Sequence, residues 1–77
     1  MSTSTAQWAA RFAEELGVQP PSPELVDRIL ALAGVADHAA ERTAAPVSCW
    51  LAASAGVDID HALGVARRLA EELGAPS

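Results

Sequence analysis

Apolar residues return every three or four positions in four separate stretches of this chain, the spacing of one covered face of an α-helix. In the first stretch Trp8, Phe12 and Leu16 recur four apart. In the second, Leu25, Ile29, Leu32 and Ala36 form a row with Val26, Leu30 and Ala33 beside it. A stripe that broad marks the central, most covered helix. Val47, Trp50, Leu51 and Ser54 share a face in the third stretch, and Ile59, Leu63, Ala66, Ala70 and Leu73 in the fourth. The pattern predicts an all-α fold: a compact four-helix domain with short loops, one domain over residues 1–77. The helices fall at approximately 5–16, 23–39, 46–55 and 59–73, with Trp8, Ile29, Trp50 and Leu63 turned toward a shared interior.

Each stretch carries its own punctuation. Ser4 with Gln7 three residues on has the form of a capping box, and Gly17 supplies a stop. Gln19-Pro20-Pro21-Ser22 is a stiff turn, and Ser22 followed by Pro23 is a strong start, because proline suits the first helical position. Gly34, inside the second helix, costs about 1 kcal/mol relative to alanine. Either close contact with another helix or an early end would account for it. Since the residue before a proline avoids the helical region, the third helix is expected to open at Pro46, with Ala45 as its cap, and to close at Gly56. Asp58 or Asp60 caps the fourth, the later Arg67 and Arg68 suit its dipole, and Gly74, Ala75 and Pro76 close the chain. The run from Arg11 to Gly17 resembles that from Arg68 to Gly74. Both read as the generic end of an amphipathic helix, with Glu outward, Leu inward and Gly stopping, rather than as a repeat.

Composition narrows what such a domain can do. Apolar residues make up 51% of the chain, which argues for a packed core and against disorder. Much of that share is alanine, which adds helix propensity more than buried area. Folding energy is therefore modest, and burial in a homodimer or against a partner protein is expected. The net charge is −5, and the five basic residues are all arginine. That balance speaks against nucleic acid and against an anionic membrane surface. No apolar run approaches the ~20 residues of a membrane span. The opening MSTSTAQW has neither the basic region nor the apolar stretch of a signal peptide, and the lone Cys49 cannot form an intrachain disulfide. The expected setting is the cytoplasm.

Three groups of residues could carry chemistry. Asp37, His38, Glu41 and Arg42 gather at the end of the second helix, and Asp58, Asp60 and His61 at the start of the fourth. Asp, Glu and His ligate metals, but this spacing matches no established ligand motif. The expectation is solvated helix ends, with no metal and no cofactor. Cys49 falls in the first turn of the third helix, where the dipole favours a thiolate, though a nucleophile also needs a base such as His38 or His61. Its neighbour Trp50 and the apolar face favour a packed thiol, and no catalytic residue is assigned. The third group is an anion-binding hypothesis. With Ala45 unable to cap, the Val47 and Ser48 amides would be free to face an anion, joined by His38, Arg42 and Pro46. Water, Thr43 or Glu41 would otherwise supply the cap.

The run from Val35 to Val47, with Asp37-His38, then Glu41-Arg42-Thr43-Ala44-Ala45-Pro46-Val47, resembles a small uncharacterised family, mainly actinobacterial. Its members are found alone or fused to the C-terminus of molybdenum-cofactor guanylyltransferases. Trp8, Glu15-Leu16-Gly17, the stretch from Trp50 to Gly56 and the Ala/Arg-rich last helix are also similar, whereas Asp37 and Cys49-Trp50 depart from the pattern. The resemblance implies a helper near molybdopterin guanine dinucleotide synthesis, with a guanylyltransferase or a molybdoenzyme-maturation protein as partner. It implies no transferase activity here, since the chain has no Gly-rich nucleotide loop.

The leading expectation is thus a non-enzymatic helical interaction module. An acyl-carrier-like protein is the first alternative; length, acidity and four helices fit it, but no Asp-Ser-Leu-type attachment motif is present. A small thiol-dependent enzyme using Cys49 is the second. Helix-turn-helix DNA binding is disfavoured by charge.

Overall fold

The computed structural model describes residues 3–74. Four helices follow one another: α1 (Thr5–Leu16), α2 (Pro23–Ala39), α3 (Ala44–Ala55) and α4 (Ile59–Glu72). Among the described residues there is no strand. The expected close at Ala75 and Pro76 lies outside them.

The ends of α1 show why a helix forms there. The Ser4 Oγ accepts from the Gln7 N–H at 3.0 Å, and the Gln7 Oε1 accepts from the Ser4 N–H at 2.9 Å. Two donors that the first turn leaves orphaned are thereby satisfied. At the other end Gly17 adopts a left-handed φ of 74°. Its N–H reaches the Glu14 carbonyl at 3.1 Å, and the Val18 N–H reaches the Ala13 carbonyl at 3.0 Å. These paired bonds stop the helix and close its last carbonyls. The start of α2 repeats the logic, with the Ser22 Oγ accepting from the Leu25 N–H at 3.1 Å and Pro23 in first position. Gly34 neither ends the helix nor admits a neighbour: a Cβ built on it meets nothing within 4 Å.

The third helix differs from expectation. It opens at Ala44, two residues before Pro46, with Thr43 at its cap position in helical conformation and no side-chain cap. The chain turns in tightly: the Ala44 N–H donates to the Glu41 carbonyl at 2.9 Å and the Ala45 N–H to the Arg42 carbonyl at 3.1 Å. Pro46 then occupies the third helical position, where its missing N–H is one that the first turn would leave unpaired anyway. This compensation outweighs the preference of Ala45 for extended backbone. In α4, Asp58 stands at the cap position without a side-chain cap bond, and the helix closes at Glu72.

Packing is centred on α2, the helix with extensive contact on both α3 and α4. Leu32 of α2 is 3% exposed and Leu63 of α4 7%, with Ala70 and Ala13 completing the buried set. The extents are 39 × 30 × 19 Å, so the thin dimension is about two helix diameters. The radius of gyration, 13.4 Å, exceeds the about 11.5 Å typical for a domain of this length. A four-helix slab of two layers leaves many ridges uncovered. Trp8 and Trp50, expected inside, are 63% and 70% exposed, and Phe12 and Leu16 also face outward, whereas Ile29 is half-buried and Leu63 buried. The periodicity is helical as expected, but the helices that would cover the α1 ridge and the Trp50 face are missing from this arrangement.

Candidate interaction surface

The described residues offer three places to look for function: the polar helix ends, the cleft between α2 and α4, and the uncovered apolar faces.

The polar ends do not converge on a site. Asp60, on the first turn of α4, is engaged by Arg28 of α2, whose Nη1 lies 2.7 Å from Oδ2. The two side chains are 50% and 56% exposed, so the pair ties two helix surfaces together without forming a desolvated centre. His38 turns back along its own helix, with Nδ1 2.8 Å from the Gly34 carbonyl oxygen. Among the described residues no three His, Cys, Asp or Glu side chains come together as metal ligands.

The earlier start of α3 alters the anion-binding reading at its root. Val47 and Ser48 stand at the fourth and fifth helical positions, where amides turn to carbonyls four residues back. The Ala44 and Ala45 amides are taken by the Glu41 and Arg42 carbonyls, and Pro46 has none. Val47 and Ser48 therefore stand two positions deeper in the helix than the first-turn places on which the anion-binding hypothesis stood. Arg42 is exposed in the turn before α3, and His38 bonds elsewhere. The same shift moves Cys49 to the sixth helical position, past the first turn, where the dipole has faded. The thiol is half-buried, with Sγ 4.0 Å from the Ile29 carbonyl oxygen of α2. Burial raises its pKa, the direction opposite to that of an activated nucleophile.

The cleft between α2 and α4 was not foreseen. It encloses about 400 Å³, with Ala31, Gly34, Val35 and Ala70 forming an apolar floor and His38, Arg67 and Glu71 at its edge. A sequence signal for it exists: Ala31, Gly34 and Val35 lie on one face of α2 with side chains too small to fill the groove against α4.

The uncovered apolar faces are the dominant surface feature. On α3, Val47, Trp50 and Leu51 are 57%, 70% and 57% exposed at the three- and four-residue spacing of one face. On α1, Trp8 and Phe12 stack with ring centroids 5.7 Å apart and planes inclined by 20°. Leu16 extends that row. Isolated exposed apolar residues are ordinary; contiguous rows with aromatic anchors mark places where another surface binds. No helix among the described residues is long and apolar enough to cross a membrane.

A family model described as a domain of unknown function, DUF6457, matches residues 1–56, which takes in α1, α2 and α3 and ends at the glycine that stops α3. The α4 wall of the cleft lies beyond the matched residues. No curated protein and no solved structure matches the chain.

Proposed function

For a chain that belongs to the DUF6457 family, we propose the role of a non-enzymatic helical interaction module. It works in the cytoplasm, docking a partner protein on the exposed face of α3. One observation carries this reading: Val47, Trp50 and Leu51 form an uncovered row on a helix already anchored to α2, with a tryptophan 70% exposed at its centre. Tryptophan on a fixed element is the residue type most enriched at energetic centres of interfaces. The non-enzymatic half draws support from Cys49, whose thiol faces α2 and whose pKa is raised by burial rather than lowered as in an activated nucleophile.

The partner we propose is a molybdenum-cofactor guanylyltransferase or a molybdoenzyme-maturation protein. Support for that choice is the resemblance of residues 35–47, and it stands as a proposal of pathway. The test is a fluorescence titration with Trp8→Phe protein, in which Trp50 is the only indole, against the guanylyltransferase of the same source. Docking on α3 predicts a saturable blue shift of Trp50 emission and loss of binding in Leu51→Asp protein. An emission spectrum unchanged across the titration counts against this partner.

A further inference from the structure

We propose that α1 is the contact between two copies of this chain, packed antiparallel about a two-fold axis at Phe12. The dimer does not require the α3 face, so it goes beyond the docking reading and can fail without it.

The first argument is area. The chain exposes 5941 Å², whereas a compact monomer of its 7.9 kDa mass would expose about 4,400 Å². The surplus, shared between the α1 ridge, the α3 row and the chain ends, is of the same order as the roughly 800 Å² per partner that a stable interface buries. A single chain of this shape carries the surface of a dimer half.

The second argument places the contact. Packing inside the chain centres on α2 with α3 and α4, and α1 has no extensive helix partner. Yet α1 is closed at both ends by its own bonds, so its form does not wait on a helix partner. Its ridge of Trp8, Phe12 and Leu16 is 63%, 51% and 60% exposed. Residues four apart form the ridge that interdigitates with an identical ridge in the commonest class of helix packing, at about −50°. The stacked Trp8 and Phe12 rings are already ordered against each other, so less freedom is lost when a partner covers them.

The third argument selects a second copy as the occupant. The ridge tapers from an indole at Trp8 to an isobutyl group at Leu16, with Phe12 midway. Laid antiparallel on itself, Trp8 of each copy meets Leu16 of the other, and the two tapers complete one layer of even thickness. The same operation sets each α1 dipole against its opposite. Arg11 lies 4.0 Å from Glu14 and 3.9 Å from Glu15 on its own helix. One arginine against two glutamates leaves α1 a net charge of −1, a small part of the −5 of the chain, and these exposed charges oppose self-association only weakly.

Sedimentation equilibrium of the purified protein alone tests this, with Phe12→Glu and Trp50→Glu variants beside it. Far-UV circular dichroism confirms that each is folded. The expected result is a dimer of twice the chain mass, retained by Trp50→Glu and weakened about thirtyfold or more by Phe12→Glu. In Trp50→Phe protein, Trp8 emission should also shift to the blue as concentration rises through the dimer transition. A chain that stays monomeric up to millimolar concentration overturns the proposal, and so does a dimer that survives Phe12→Glu. In both cases the titration against the guanylyltransferase still decides the α3 reading by itself.

Discussion

Helices α1 and α2 begin alike, each with a serine whose Oγ accepts a backbone N–H three residues on, but they end in different surroundings. The apolar stripe of α2 is taken up by α3 and α4, and its Leu32 is 3% exposed. The ridge of α1, with larger side chains, remains open, and Phe12 is 51% exposed. Capping chemistry is local and decides where a helix starts. Whether its ridge becomes core depends on how many other ridges are within reach. Here one helix has two neighbours and the other has a ridge with none of comparable extent, so α2 holds the fold and α1 is available to another chain.

The largest expected effect follows from the side of α2. Leu32→Ala should cost about 2–5 kcal/mol in urea unfolding, the range for a leucine removed from a packed interior. Phe12→Ala, measured at a dilution where the chain is monomeric, should cost well under half as much, because the ring leaves water only in part. Equal losses would mean that α1 is core after all. The next comparison is between caps. Ser4→Ala and Ser22→Ala should each lose about 1 kcal/mol of helix stability. For α2 that loss should appear in global unfolding, and for α1 as local fraying seen in amide exchange around Gln7.

How far this contrast could be read from residues alone depends on the range of the force involved. The starts of α1 and α2 were legible because Ser4-to-Gln7 and Ser22-Pro23 act within a single turn, and Gly17 stops its helix through its own left-handed backbone. The start of α3 was not, because the tight turn from Glu41 to Ala45 satisfies its first amides without a capping side chain. A start at Pro46 would put Val47, Ser48 and Cys49 in the first turn, whereas they stand at the fourth, fifth and sixth positions of α3. Periodicity set Trp8 and Trp50 on apolar helix faces, but the expectation that those faces turn inward failed at both residues, since what covers a face is a tertiary property. The α2/α4 cleft was missed for a related reason, as small side chains at Ala31 and Gly34 announce a gap only when the opposing helix is known.

Smaller effects sharpen the picture around α2. Gly34→Ala should stabilise the chain by about 0.5–1 kcal/mol, because the helix continues through this position and the added Cβ meets nothing. A loss of stability there would show that the cleft side of α2 is closer-packed than it is here. The smallest effect concerns pH. The folded-state pKa of Cys49 is raised by burial, so the unfolded chain ionises first as pH increases. Stability is therefore unaffected below the ordinary thiol range and declines as pH rises from there through the folded-state value. Comparing urea midpoints of wild-type and Cys49→Ala protein across the alkaline range checks this: the decline should be shallower in the variant. A parallel decline in both would assign it to another group.

Concentration-dependent amide exchange tests the contrast between α1 and α2 most directly. At low concentration, α1 amides from Trp8 to Leu16 should exchange well before those around Leu32, and they should gain protection as the protein is concentrated while α2 stays constant. Equal protection of both helices at every concentration would contradict the account, because α1 would then be held by its own chain.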